Sequence, residues 1–95
     1  MQMLRLINVM EILVKETIED ILKNCQELCK CERCKLDMAA IALNKLSPSY
    51  VVTAEGEVLL RVGSLKQQNK VDIIRVVTEA IDIVGKKPHH SREDS

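Results

Sequence analysis

The sequence predicts a mainly α protein: a three-helix domain with a short β-hairpin and a cysteine metal knuckle between helices 1 and 2. Three observations lead there. Apolar residues recur at spacings of three and four over three stretches. A short run rich in β-branched residues is interrupted by Ala54-Glu55-Gly56-Glu57, a turn signal. Four cysteines crowd between positions 25 and 34.

The first helix is expected over residues 3–23. Leu6, Met10, Leu13 or Val14, Thr17 and Ile21 form one stripe, widened by Ile7, Ile18 and Leu22. That stripe is wider than one neighbouring helix needs, which suits either a buried core helix or one shared with a second subunit. Glu11, Lys15, Glu19 and Lys23 make a charged row on the opposite side, with Glu19 before Lys23 worth roughly 0.3 kcal/mol. Residues 24–34 break the periodicity. A second helix follows over about 35–46, where alanines at 39, 40 and 42 allow close helix approach, and Pro48 stops it near Ser47. Tyr50–Thr53 and Val58–Val62 read as the two arms of the hairpin. The third helix is expected from Gln67 to Val84, with Val71, Ile74, Val77 or Thr78, Ile81 and Val84 inward and Gly85 as C-cap. Residues 1–85 thus form one domain, and 86–95 form a polar tail expected to be disordered.

Composition narrows the possibilities. A chain of 95 residues fits one domain, and with Tyr50 as its only aromatic it must build its core from Leu, Ile, Val and Met. A chain this short buries a modest share of its surface, so a metal staple and a partner subunit are both expected. Lys plus Arg equals Asp plus Glu at 14 each, so no global field draws the chain to nucleic acid or to an acidic membrane. Glu11, Lys15 and Glu16 interrupt the apolar start before any signal-peptide cleavage pattern, and no apolar run reaches the roughly 18 residues of a membrane helix. The expected compartment is the cytoplasm, where thiols stay reduced.

The cysteines then read as metal ligands before disulfides. Their spacing is Cys25-x3-Cys29-x-Cys31-x2-Cys34. Four thiolates suit tetrahedral Zn2+ at about 2.3 Å, and the Cys31–Cys34 step is the tight turn that puts two sulfurs on one ion. Lys30, Arg33 and Lys35 would offset the thiolate charge. An iron–sulfur cluster, a redox dithiol and plain reduced thiols remain open alternatives. Cys25 fits least well: it is either the fourth ligand or a free thiol at a helix end, with His89 or His90 as substitutes. A closed thiolate site is structural, and no acid–base or nucleophile set accompanies it, so no enzyme is expected.

A wider pattern surrounds the cysteines. Cys29-x-Cys31-x2-Cys34-x2-Asp37-x2-Ala40 runs into Ala42-Leu43-Asn44-x-Leu46 and Pro48-x-Tyr50-Val51, with Asn8-x2-Glu11 upstream. This resembles the late competence development protein ComFB family over about residues 5–62. The resemblance implies a homodimer that binds structural zinc through cysteines. Some members are cyclic di-nucleotide receptors, so a cyclic di-GMP receptor in competence, motility or biofilm signalling is one expectation. Phosphates call for Arg or Lys and guanines for Arg, Asp or stacking groups. Candidates are Arg61, Lys70, Asp72, Arg75 and Tyr50, each otherwise a solvated residue or, for Tyr50, a core aromatic. Asp37 is expected to cap the second helix. Asn8, Glu11 and Asn44 belong to structural or dimer contacts, those of Glu11 and Asn44 buried. The alternative function is an adaptor that docks a regulatory protein through its dimer surface, with no small ligand.

Overall fold

The computed structural model describes residues 4–54 and 57–86. Its elements run β1 (Leu4–Asn8), α1 (Val9–Leu22), α2 (Glu32–Lys45), β2 (Tyr50–Ala54) and α3 (Val58–Lys86). The class is as predicted: mainly helical, three helices and one antiparallel strand pair.

The strand pairing differs from the expected hairpin. β2 lies where expected, but its partner is β1, in register from Leu4 opposite Ala54 to Asn8 opposite Tyr50. Residues 4–8 are therefore strand, not the start of the first helix. Asn8 enforces the change. Its backbone is extended (φ −89°, ψ 101°), and its Oδ1 accepts the Met10 N–H at 3.2 Å as an N-cap. The same oxygen accepts the Ser49 N–H at 3.0 Å, while the Val9 N–H donates to the Ser49 carbonyl at 2.8 Å. Asn8 thus ends β1, begins α1 and anchors the approach to β2.

Val58–Val62, expected as a returning strand, is the opening of α3. Its inward residues explain this: Val58, Val62 and Leu65 meet the core at helical spacing, and a strand would turn alternate ones away. Gly63 is therefore helical. α3 bends at Asn69 (φ −120°, ψ 15°), whose Nδ2 donates to the Leu65 carbonyl. Beyond the bend its buried face is Ile73, Val76, Val77, Ala80, Ile81 and Val84. Val71 and Ile74, expected inward, are exposed. The expected C-cap Gly85 is helical as well, because α3 continues to Lys86.

α1 is the central element. Val9, Met10, Leu13, Val14, Ile18 and Leu22 are buried against α2 and α3, where Met38, Ala39 and Ala42 of α2 let the helices lie close. The charged row of α1 is rearranged. Lys15 pairs with Glu11 at 3.0 Å, but Lys23 turns to Asp20 at 3.8 Å, and Glu19 reaches Lys35 of α2 at 2.8 Å. α2 starts at Glu32, three residues earlier than expected, and ends at Lys45 with an extended Leu46 just before Pro48. No helix among the described residues is long and apolar enough to cross a membrane. Of the expected tail, Lys86 is helical and 87–95 lie outside the described residues, as do two positions of the expected turn, 55 and 56.

Asn8→Ala should remove the cap and the Ser49 bond together, lowering stability by about 1–3 kcal/mol in urea unfolding. An unmoved midpoint would show that the strand-to-helix junction does not depend on this side chain.

Candidate metal centre

The cysteine cluster is assembled by the start of α2. Cys31 is the N-cap, with extended backbone (φ −70°, ψ 161°), and its Sγ accepts the Cys34 N–H at 3.4 Å. The Lys35 N–H closes on the Cys31 carbonyl at 3.1 Å. A sulfur thus holds the place usually taken by a Ser or Asp oxygen, and the positive end of α2 faces the thiols. Cys34, in the first turn, is buried with the core. Cys29 enters from the preceding loop, and the sulfurs of Cys29, Cys31 and Cys34 lie within 4.8 Å of one another.

Cys25 stands apart from this trio. It is held on the last turns of α1, where the Asn24 and Cys25 N–H groups close on the Ile21 and Leu22 carbonyls, both at 3.1 Å. His89 and His90 lie outside the described residues.

The Cys31 and Cys34 thiols are shifted in opposite directions. The Cys34 N–H, donating to Sγ, holds the Cys31 thiol below its ordinary value, and Cys29 adds to this. Burial pushes the Cys34 thiol up to about 12, with Cys29 and Cys31 contributing. Side-chain cations do less than the sequence suggests. Arg33 lies on Asp37 at 3.4 Å and Lys35 on Glu19 at 2.8 Å, so the backbone of α2 is the main local positive feature.

This donor set fits a soft divalent ion. Zinc with four sulfurs at about 2.3 Å has sulfurs roughly 3.8 Å apart, within reach of the trio by small rotations. Three sulfurs leave one coordination position for a further ligand. A metal here would tie the loop before α2 to the helix itself. That loop is also seated from the other side, because Leu28 lies over Gly85 of α3; a Cβ at Gly85 would stand 2.8 Å from Leu28 Cδ2.

The remaining expected site residues fall into separate places. Asp72 and Arg75 line a polar pocket of about 290 Å³ with Lys45, Ser47, Ser49 and Asn69. Arg75 approaches Asp72 at 3.9 Å and Glu79 at 3.5 Å, and Lys45 reaches Glu79 at 3.4 Å. Sequence reasoning missed Lys45, Ser47 and Ser49, which belong to no motif and meet Asp72 and Arg75 only in the fold. Lys70 faces a different groove, beside Thr17 and Asp20 of α1. Arg61 is exposed on α3 rather than on a hairpin, and Tyr50 is exposed on the sheet. Glu11 and Asn44, expected to be buried, are exposed: Glu11 pairs with Lys15, and Asn44 donates to the Ala40 carbonyl at 2.9 Å. Asp37 lies in the second turn of α2, too deep to cap it, because the helix begins early.

Against known families, residues 7–88 match the late competence development protein ComFB family. The chain belongs to the ComFB family. The competence protein ComFB of Bacillus subtilis (strain 168) is 28% identical over 83 residues, covering 87% of this chain and 85% of that one. A solved structure of the late competence protein ComFB from Bacillus subtilis superposes with a TM-score of 0.73 at 28% identity, covering 88% of this chain and 92% of that chain. The ComFB match thus spans the cysteine cluster, the end of β1, all of β2 and all of α3 that is described.

Two outcomes follow from this geometry. Gly85→Ala should displace Leu28 and loosen the loop carrying Cys29, so a chelator would strip bound metal faster than from the parent protein; equal rates would show that the contact does not support the site. Cys34 is protonated at neutral pH, so metal binding must displace its proton and metal affinity should rise with pH. A titration in buffers of different ionisation enthalpy would report the released protons.

Proposed function

We propose that this chain is a non-enzymatic regulatory protein that works as a homodimer. Each copy is closed by one Zn2+ on Cys29, Cys31 and Cys34 with a further ligand, Cys25 being the nearest candidate in sequence. The observation that carries this reading is the trio of thiols at the α2 N-terminus, within 4.8 Å of one another. Such a set clamps a fold rather than activating water when its fourth position is filled by the chain.

The outer face of the sheet supports self-association. Leu4, Leu6, Tyr50 and Val52 are all exposed, and directly opposed residues share a face. A two-stranded sheet with an apolar outer face is marginal alone. A second copy would cover it with the same residues, as a two-fold axis requires.

The ligand we assign is a cyclic di-nucleotide of the cyclic di-GMP type, as the family resemblance implies. The pocket of Lys45, Ser47, Ser49, Asp72 and Arg75 supplies a guanidinium, an ammonium and a carboxylate together, the groups that phosphates and a guanine edge require. Its volume suits one half of such a ligand, and a symmetric dimer would supply the other. An adaptor without a small ligand is the second reading, favoured by an apolar, cationic face on α3 described below.

Native mass spectrometry of protein purified without chelator tests the proposal. The expected spectrum shows two chains with one zinc each, and added cyclic di-GMP binds and raises thermal stability, by about 2.7 kcal/mol at a hundredfold excess over Kd. Cys31→Ser and Cys34→Ser should each lose zinc and melt lower. A dimer with zinc but no ligand response leaves the adaptor reading. A metal-free monomer overturns the proposal.

A further inference from the structure

The half of α3 that precedes Asn69 is thinly packed. Among its residues only Val62 is buried. Leu59, Leu60 and, just past the bend, Val71 are 81%, 76% and 78% exposed, the highest values of any large apolar side chain among the described residues. Leu60 and Gln67 stand two turns apart before the bend, and Val71 and Ile74 follow it, all four exposed. Single exposed leucines need no explanation, but Leu59, Leu60, Val71 and Ile74 exposed together on one helix do.

Charge frames these residues. From Val58 through Val71 the chain carries Arg61, Lys66 and Lys70 and no acidic residue, within a protein of zero net charge. Elsewhere most cations are paired: those at Lys15, Lys23, Arg33, Lys35, Lys45, Arg75 and Lys86 each meet a carboxylate. Lys66 and Lys70 line one groove across the bend, and Arg61 is exposed on the half of α3 before it. The groove is about 330 Å³, and in it Ile21, Ile73 and Ile74 provide apolar surface and Thr17 and Asp20 complete the wall.

We infer that this face of α3 is the docking surface for an acidic amphipathic helix of another protein. The apolar side of that helix would cover Leu60 and Val71 and place one anchor side chain in the groove. Its flanking carboxylates would meet Lys66, Lys70 and Arg61. A second copy of this chain is a poor occupant, because two α3 faces brought together would oppose cations to cations with no acidic residue from 58 to 71 to offset them. The surface is distinct from the sheet face offered for self-association, and it depends on neither zinc nor a cyclic di-nucleotide.

The probe is a labelled synthetic helix with leucines at every third and fourth position, flanked by glutamates, together with its lysine counterpart. Binding to the full chain is followed by fluorescence anisotropy. The acidic helix should bind saturably, more weakly as salt rises, and the lysine helix should not. Leu60→Ser with Val71→Ser should weaken binding by about tenfold or more. Lys66→Glu with Lys70→Glu should exchange the preference, losing the acidic helix and gaining the lysine one. All four positions are exposed, so unchanged melting curves will verify that the variants fold. Equal binding of the two helices, no saturable binding, or a charge reversal without effect would overturn the inference. So would a fall to half the native mass in Leu60→Ser with Val71→Ser, which would make this face the self-interface, or binding of anionic vesicles lost in the same variant while the acidic helix stays unbound.

Discussion

The carboxamide of Asn8 holds together three parts of the chain that sequence order keeps apart. One oxygen takes the Met10 N–H and the Ser49 N–H, so the end of β1, the start of α1 and the approach to β2 meet at one atom. Without that junction α1 could begin earlier, as its apolar periodicity allows, and residues 4–8 would leave the sheet. The register of β1 on β2 follows from the same point, since Asn8 stands opposite Tyr50. Once α1 starts at Val9, its buried residues fix which sides of α2 and α3 turn inward.

The cysteine trio stands in this frame where a bound metal ion would make a second fastening. The core is made of aliphatic residues and small alanines, with no Phe or Trp to supply large buried area. The segment between α1 and α2 has no regular structure over most of its length, and its apolar contribution to the core is Leu28, Cys29 and Cys31. An ion on three sulfurs would bind this segment to the first turn of α2, while Glu19 and Lys35 tie the same turn to α1. The trio therefore lies at the end of a segment, 23–31, in which no residue is buried.

Much of this was legible in the sequence, and the failures have physical causes. α1, most of α2, β2 and the distal part of α3 follow from periodicity and from Pro48. The cysteine trio follows from its spacing. Leu4–Asn8 was misread because Leu6, Ile7 and Met10 fit a helical stripe equally well, and only the long-range bond from Ser49 to Asn8 decides between them. Val58–Val62 was misread because β-branched and leucine residues beside a turn signal look like a strand, whereas tertiary contacts at Val58, Val62 and Leu65 impose a helix. Val71 and Ile74 fit a helical stripe with Ile81 as well as Ile73 and Val76 fit one with Ala80, and only tertiary contact decides between them. Starting at Val58 and bending at Asn69, α3 turns Ile73 and Val76 inward instead. Lys45, Ser47 and Ser49 could not be connected to Asp72 and Arg75 from spacing, since the pocket they share joins two helices far apart in the chain.

The strand pairing has a consequence for the order of synthesis. β1 is the first described element to leave the ribosome, yet its partner β2 follows both α1 and α2. Until Ala54 emerges, Leu4 and Leu6 have no strand to pair with, and both edges of β1 stay open. α1 and α2 can pair early through local contacts, whereas the sheet must bring together the two ends of a long intervening segment, and α3 packs against α1 only after β2 has emerged. The nascent chain therefore carries β1 unpaired until both α1 and α2 have emerged, and the sheet can close before α3 is complete.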